Sequence, residues 1–154
     1  ARDDLRRHLR ARGFGYLQNS VWITPHSVTQ GQDTLASEAV DVESLILLEA
    51  RPCGGETDEQ IVAGAWNFPL INQGYERHRE ILAQRPVTPL NSEAPAKAFQ
   101  RWACRERCAW QEAASADPLL PECLLPASYL GCRALRDRVT ALTKAAEQIR
   151  DFTS

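Results

Sequence analysis

Apolar positions recur along this chain with two different periods, and the change of period divides it. Over residues 2–12, Leu5 and Leu9 stand four apart on a strongly charged background, one narrow helical stripe that Gly13 ends. Tyr16-Leu17 and Val21-Trp22-Ile23-Thr24 are rich in strand formers and flank the polar triplet Gln18-Asn19-Ser20, which predicts a short β-hairpin. Pro25 closes it, because proline donates no ladder hydrogen bond. Leu35, Ala39 and Val28 could line a further helix, and the run from Val42 to Ala50 has the length and continuity of a strand buried on both faces.

From Glu56 the period turns helical. Thr57 with Gln60 three residues on resembles a capping box, and Ile61, Val62, Ala65 and Trp66 follow at helix spacing. Pro69 interrupts the pattern, and Leu70, Tyr75, Arg77, Ile81 and Leu82 predict another helix. The segment from Arg85 to Pro95 holds three prolines after its first residue and is the best candidate linker. Beyond it, 96–116 and 131–152 are strong helix patterns on either side of a proline-punctuated elbow at 117–126. This predicts an α+β first domain over 1–86 with its following helices, and an all-helical domain over 87–154.

Composition narrows the classes. A hydrophobic fraction of 44% and a charged fraction of 25% over 154 residues are ordinary globular values. A net charge of −2 advertises no nucleic-acid or membrane partner, and no apolar run approaches the roughly 18 residues that span a bilayer. With no apolar signal segment at the start, a cytoplasmic protein with reduced thiols is expected. The absence of methionine raises the expectation that the chain is a piece of something longer.

Candidate chemistry is sparse. Cys104, Cys108, Cys123 and Cys132 could be imagined as a zinc site, but their spacing is poor, and small buried thiols on helices fit them better; Cys53 is the fifth cysteine. His8 and His78 lie on charged helices and read as solvated, as do the acids Asp3, Asp4 and Glu106. His26 follows a strand end, from which a side chain can enter a cleft. Arg2, Arg6, Arg7, Arg10 and Arg12 form a locally basic face that could touch phosphate. The four tryptophans read as core, or as walls for a planar aromatic ligand.

Three ordered segments carry a resemblance: LRRHLRARGFGYLQNSVWITPH, AWNFPLINQGYERHREIL and DPLLPECLLPASYLGCRALRDRV. Together they resemble the PaaX-like bacterial transcriptional repressors of phenylacetate and related aromatic catabolism. The family's Gly-Phe-Gly and Val-Trp-Ile-(Ser/Thr)-Pro elements match Gly13-Phe14-Gly15 and Val21-Trp22-Ile23-Thr24-Pro25. Its Ala-Trp-Asp matches Ala65-Trp66-Asn67, with Asn for the acid. Asp117-Pro118, Leu120-Pro121 and Leu124-Leu125-Pro126 match later elements, and Tyr129 stands where the family usually has Trp.

The resemblance implies a winged-helix DNA-binding domain, a central ferredoxin-like domain and a C-terminal helical region. In that plan residues 2–12 are the first helix, the hairpin is strands two and three, about 31–40 is the second helix and 43–50 the last strand. The first strand would precede Arg2, so the chain is expected to be a fragment, or the strand to come from another segment or subunit. The implied function is the effector-sensing and dimerisation portion of a repressor. It would use no cofactor, bind an aryl-coenzyme A thioester, typically phenylacetyl-coenzyme A, as effector, form a homodimer, and reach operator DNA only through a winged helix absent here. Trp22, His26, Trp66, Arg77 and Arg79 are the expected ligand contacts, with core packing the competing role for both tryptophans. No catalytic residue is implied. Two alternatives stay open: a dimerisation scaffold using Leu135, Val139, Leu142, Ala146 and Ile149, and a metal-dependent nuclease of related fold.

Overall fold

A computed structural model describes residues 2–27 and 46–153. In chain order it contains helix α1 (Arg2–Ala11), strands β1 (Gly15–Gln18) and β2 (Val21–Ile23), and helices α2 (Asp58–Ala65), α3 (Phe68–Ala83) and α4 (Glu93–Ala116). A 3-10 turn (Glu122–Leu124) and helix α5 (Gly131–Thr153) follow. The fold is α+β and mostly helical, and it divides into two compact units. One comprises 1–67 with 118–126; the other comprises 68–117 with 127–154.

In the first unit α1 ends where Gly13 takes a φ of +79°, the left-handed conformation glycine adopts without a Cβ penalty. The Phe14 amide then donates to the Leu9 carbonyl and the Gly13 amide to the Arg10 carbonyl, both at 3.0 Å. That is a Schellman cap, and its customary apolar contact is here the buried pair Leu9 and Phe14, packed with Leu5, Trp22 and Leu47. The chain leaves the cap directly into β1. Asn19 and Ser20, with φ of 47° and 69°, make the two-residue turn whose twist suits a hairpin. Gly15 pairs with Ile23 and Tyr16 with Trp22, and an irregularity at Leu17 shifts the register before Gln18 meets Val21.

Helix α2 starts at the expected capping box: the Gln60 amide donates to the Thr57 hydroxyl, and the Thr57 amide to the Gln60 side chain. It ends at Trp66, whose extended backbone turns the indole over the hairpin. The Trp66 Nε1–H donates to the Gly13 carbonyl at 3.2 Å. A Cβ on Gly15 would lie 2.6 Å from the indole and 2.8 Å from the Ala65 Cβ. Gly15→Ala is therefore expected to lower stability by about 1–3 kcal/mol in denaturant unfolding, the usual cost of overpacking.

The run expected as a buried last strand is different. Residues 46–50 belong to no strand, with Ile46 77% and Leu48 82% exposed; Leu47 alone packs on the Leu9–Phe14 cluster. A strand buried on both faces needs a hydrogen-bonding neighbour, and among the described residues the sheet is only β1 against β2. The remainder of that run and the helix expected near 31–40 lie outside the described residues.

The second unit is three helices. Pro69 sits in the first turn of α3 and Pro95 in that of α4, where a missing N–H costs nothing. Leu82, Leu90, Phe99, Trp102 and Ala145 form its core, joined by Ala103, Ala141 and Leu142. Each large side chain buried there contributes about 1.5–3 kcal/mol. The Trp102 indole also donates to the Ile81 carbonyl at 3.0 Å. The proline-rich stretch is no boundary between these units: α3 and α4 on its two sides pack together, Leu90 within it is buried, and Gln148 donates to the Thr88 carbonyl at 2.8 Å. Where the sequence places a division at 86/87, the compact units divide at 67/68.

Candidate functional site

Helix spacing puts Asp3, Arg6, Arg7 and Arg10 along one side of α1, while Leu5 and Leu9 turn towards the core. The pleat of the hairpin puts the cross-strand partners Tyr16 and Trp22 on one face, ring centroids 5.3 Å apart and edge to face. These six side chains line an open groove of about 580 Å³. The Arg10 guanidinium lies 5.5 Å from the Trp22 ring centroid, a cation–π contact that joins the two walls. Asp3 pairs with Arg6 at 3.4 Å and Asp4 with Arg7 at 3.1 Å, both as exposed one-turn ion pairs. Three guanidiniums against one lining carboxylate leave the groove positive, with an aromatic wall beside the charge.

The five residues expected to contact a ligand engage five different partners. Trp22 lines the groove. The exposed His26 ring places Nε2 3.1 Å from the Pro118 carbonyl, in the first unit. Trp66 holds the Gly13 carbonyl. In the second unit Arg77 reaches Glu112 of α4 at 3.4 Å, and Arg79 reaches Asp137 of α5 at 2.8 Å. Arg77 also lines a groove between α3 and α4 of about 410 Å³, with Glu80, Arg105, Cys104 and Cys108.

Two expectations about polar residues are overturned. His78 and Glu106 are not solvated: they are 0% and 2% exposed, in the centre of the second unit. His78 Nε2 lies 3.0 Å from Glu106 Oε1, and Arg138 Nε donates to the same oxygen at 2.6 Å. Arg138 stacks on Trp110 at 4.8 Å, and the His78 ring meets Trp110 edge-on at 5.1 Å. Burial alone raises the Glu106 carboxyl, but hydrogen bonds and charge from Arg138 and His78 outweigh it and hold the group below the usual range. Cys104, Cys108, Cys123 and Cys132, expected to be buried, are exposed, as is Cys53, because they fall off the apolar stripes of their helices or lie in loops. Among the described residues no cluster could hold a metal ion, and no helix is long and apolar enough to cross a membrane.

A second buried polar joint lies at Asp117. Its Oδ2 accepts hydrogen bonds from the hydroxyls of Tyr75 and Tyr129, and the two phenol rings meet edge to face. Burial first, and then the Asp117 carboxylate, push both phenols well above the ordinary tyrosine range. Asn72 clamps the turn before α5, donating to the Ser128 carbonyl at 2.8 Å and accepting from the Leu130 amide at 2.9 Å.

Residues 66–152, more than half of the chain, match the PaaX-like protein C-terminal domain, and residues 1–62 match the PaaX protein central Cas2-like domain. The chain belongs to the PaaX family. Neither a curated protein nor a solved structure gives a significant match. The boundary between the two PaaX domains, 62 to 66, lies close to the division between compact units at 67/68. The motif residues of this PaaX chain act mainly as joints: Gly15 leaves room for Trp66, Gly13 accepts its hydrogen bond, and Asp117 ties Tyr75 to Tyr129. Tyr129, a departure from the motif pattern, is one arm of the Asp117 joint.

Proposed function

We propose that this chain is the effector-sensing and dimerisation portion of a PaaX-like transcriptional repressor of aromatic catabolism, and that its effector is an aryl-coenzyme A thioester such as phenylacetyl-coenzyme A. The observation that carries the reading is the groove, which brings Arg6, Arg7 and Arg10 beside Tyr16 and Trp22 within the central PaaX domain. A thioester of this class needs cationic donors for its phosphates and aromatic surface beside them. The ferredoxin-like plan belongs to the same reading, supported by α1 followed by the hairpin in the order that plan requires. Trp22 is the ligand contact relied on; His26, Trp66, Arg77 and Arg79 would each have to release the partner described above.

Effector binding releases DNA only by favouring one arrangement of the dimer over another, since a ligand with equal affinity for both shifts nothing. The dimer would use the outer stripe of α5, where Leu135, Val139, Ala146 and Ile149 are exposed, while Leu142 at the same spacing packs on the core of the second unit. Calorimetric titration with phenylacetyl-coenzyme A, phenylacetate and coenzyme A tests the reading. Saturable binding of the thioester, tighter than of either part, is the expected result. A folded chain that ignores all three overturns effector sensing; if it is also a stable dimer, the scaffold reading favoured by the α5 stripe takes its place.

A further inference from the structure

We infer that the groove between α1 and the hairpin takes the phosphorylated nucleotide end of its ligand, a planar base with closely spaced phosphates, and not an aryl acyl group. This rests on the reading of the groove as an effector site and adds which half of the effector it holds.

The charge distribution is the first reason. Arg6, Arg7 and Arg10 occupy successive positions of one helical face, so their guanidiniums converge on one strip as phosphate donors must. Arg6 and Arg7 are at present paired with the exposed carboxylates of Asp3 and Asp4 within the same helix, and Arg10 lies against the Trp22 ring. Exposed pairs of this kind contribute little, so exchanging a carboxylate for a doubly charged phosphate costs little.

Shape is the second reason. An aryl group gains affinity by losing its whole apolar surface to an enclosed pocket, and this groove is open, with Tyr16 well exposed. A nucleobase needs only one face covered, and its phosphates are better left partly in water. Trp22 supplies the face once Arg10, now 5.5 Å from its ring centroid, turns to the phosphates, and the rotation of the ring is limited because the same side chain packs into the Leu9–Phe14 cluster and stands edge-on to Tyr16. Stacking on an aromatic ring beside arginines is the usual recognition of a base joined to phosphate.

Two ligand sources share this chemistry, the nucleotide end of a coenzyme A thioester and a single-stranded nucleic acid. The test titrates the 154-residue chain with adenosine 3′,5′-bisphosphate, coenzyme A, dephospho-coenzyme A, phenylacetyl-coenzyme A and a short single-stranded oligonucleotide, reading heat and tryptophan fluorescence. The bisphosphate is expected to bind, to compete with phenylacetyl-coenzyme A, and to outbind dephospho-coenzyme A. Arg7→Glu and Arg10→Ala are each expected to weaken it about tenfold or more, the usual loss of a charge-assisted hydrogen bond. Circular dichroism checks that both variants fold.

No binding of the bisphosphate, or undiminished binding by Arg7→Glu, overturns the inference. An oligonucleotide that displaces the bisphosphate at far lower concentration overturns the small-molecule source. If phenylacetyl-coenzyme A binds but is indifferent to Arg7→Glu and to the bisphosphate, the inference fails while the effector reading stands. If the bisphosphate binds and the phenylacetyl group adds no affinity, the inference stands while that reading fails.

Discussion

Glu106→Ala is expected to lower the stability of the second unit by about 3–5 kcal/mol, the cost of removing one partner from a buried ion pair. The alanine would leave His78 wholly inside the protein with Nε2 unpaired, and His78 Nδ1 already has no hydrogen-bond partner in the structure. Arg138 would keep its stacking on Trp110 and could reach water, so most of the loss falls on the histidine and on the cavity. Glu106→Gln keeps an acceptor oxygen and fills the volume, so a smaller loss is expected. Urea unfolding followed by circular dichroism separates the two variants; an alanine variant as stable as the parent would show that the network carries no stability.

The same carboxylate sets a pH dependence. Its folded pKa lies below the ordinary value of 4.5, so folding favours the ionised form. The stabilisation is present above that ordinary value and is lost as pH falls through the lower, folded one. The gap in stability between the parent and Glu106→Gln should therefore be full at neutral pH and shrink below about pH 4.5. A gap that widens in acid would contradict the direction of the shift.

This network shows where the sequence is legible and where it misleads. Charge runs such as Glu76-Arg77-His78-Arg79-Glu80 and Arg105-Glu106-Arg107 read as solvated faces because their neighbours are solvated. Yet Ile71, Tyr75, His78 and Leu82 follow one stripe of α3, and Phe99, Trp102, Glu106, Ala109 and Ala113 one stripe of α4. Spacing, not charge, identifies the buried polar positions; the basic face near the chain start was readable from its arginines, but not the aromatic wall that Tyr16 and Trp22 add to it. Local chemistry was legible where it is self-sufficient, as in the capping box at Thr57 and the hairpin turn at Asn19-Ser20, whereas Pro69 and Pro95, which read as an interruption and a linker, stand in the first turns of helices. Residues 46–50, the described end of the run from Val42 to Ala50, misled because an apolar run has strand length whether or not a partner strand lies beside it. Trp66 could not be placed from spacing, since its role depends on a gap left by Gly15, fifty-one positions earlier.

Asp117→Ala should produce the second large loss, about 2–4 kcal/mol, because one carboxylate oxygen serves a buried hydroxyl and a half-buried one, and each donor left unpaired costs about 1–3 kcal/mol. Asp117→Asn retains a carbonyl that can occupy the shared position, so it should cost less than half as much. Tyr75→Phe removes donor and demand together and should cost about 1 kcal/mol, as should Tyr129→Phe. Thermal unfolding of the four variants checks that both phenols depend on this carboxylate: the carboxylate deletion should exceed either phenol deletion, and a loss no larger than one of them would show that the other contact carries no stability. Because both phenols are held above the ordinary value of 10, their contribution is full below that pH and is lost as pH rises past it. Phenolate absorbance from this pair should accordingly emerge together with alkaline unfolding in the parent. In Asp117→Asn, where burial still opposes ionisation but the neighbouring negative charge is gone, ionisation and unfolding should separate. Coincident transitions in both proteins would assign the raised values to burial alone.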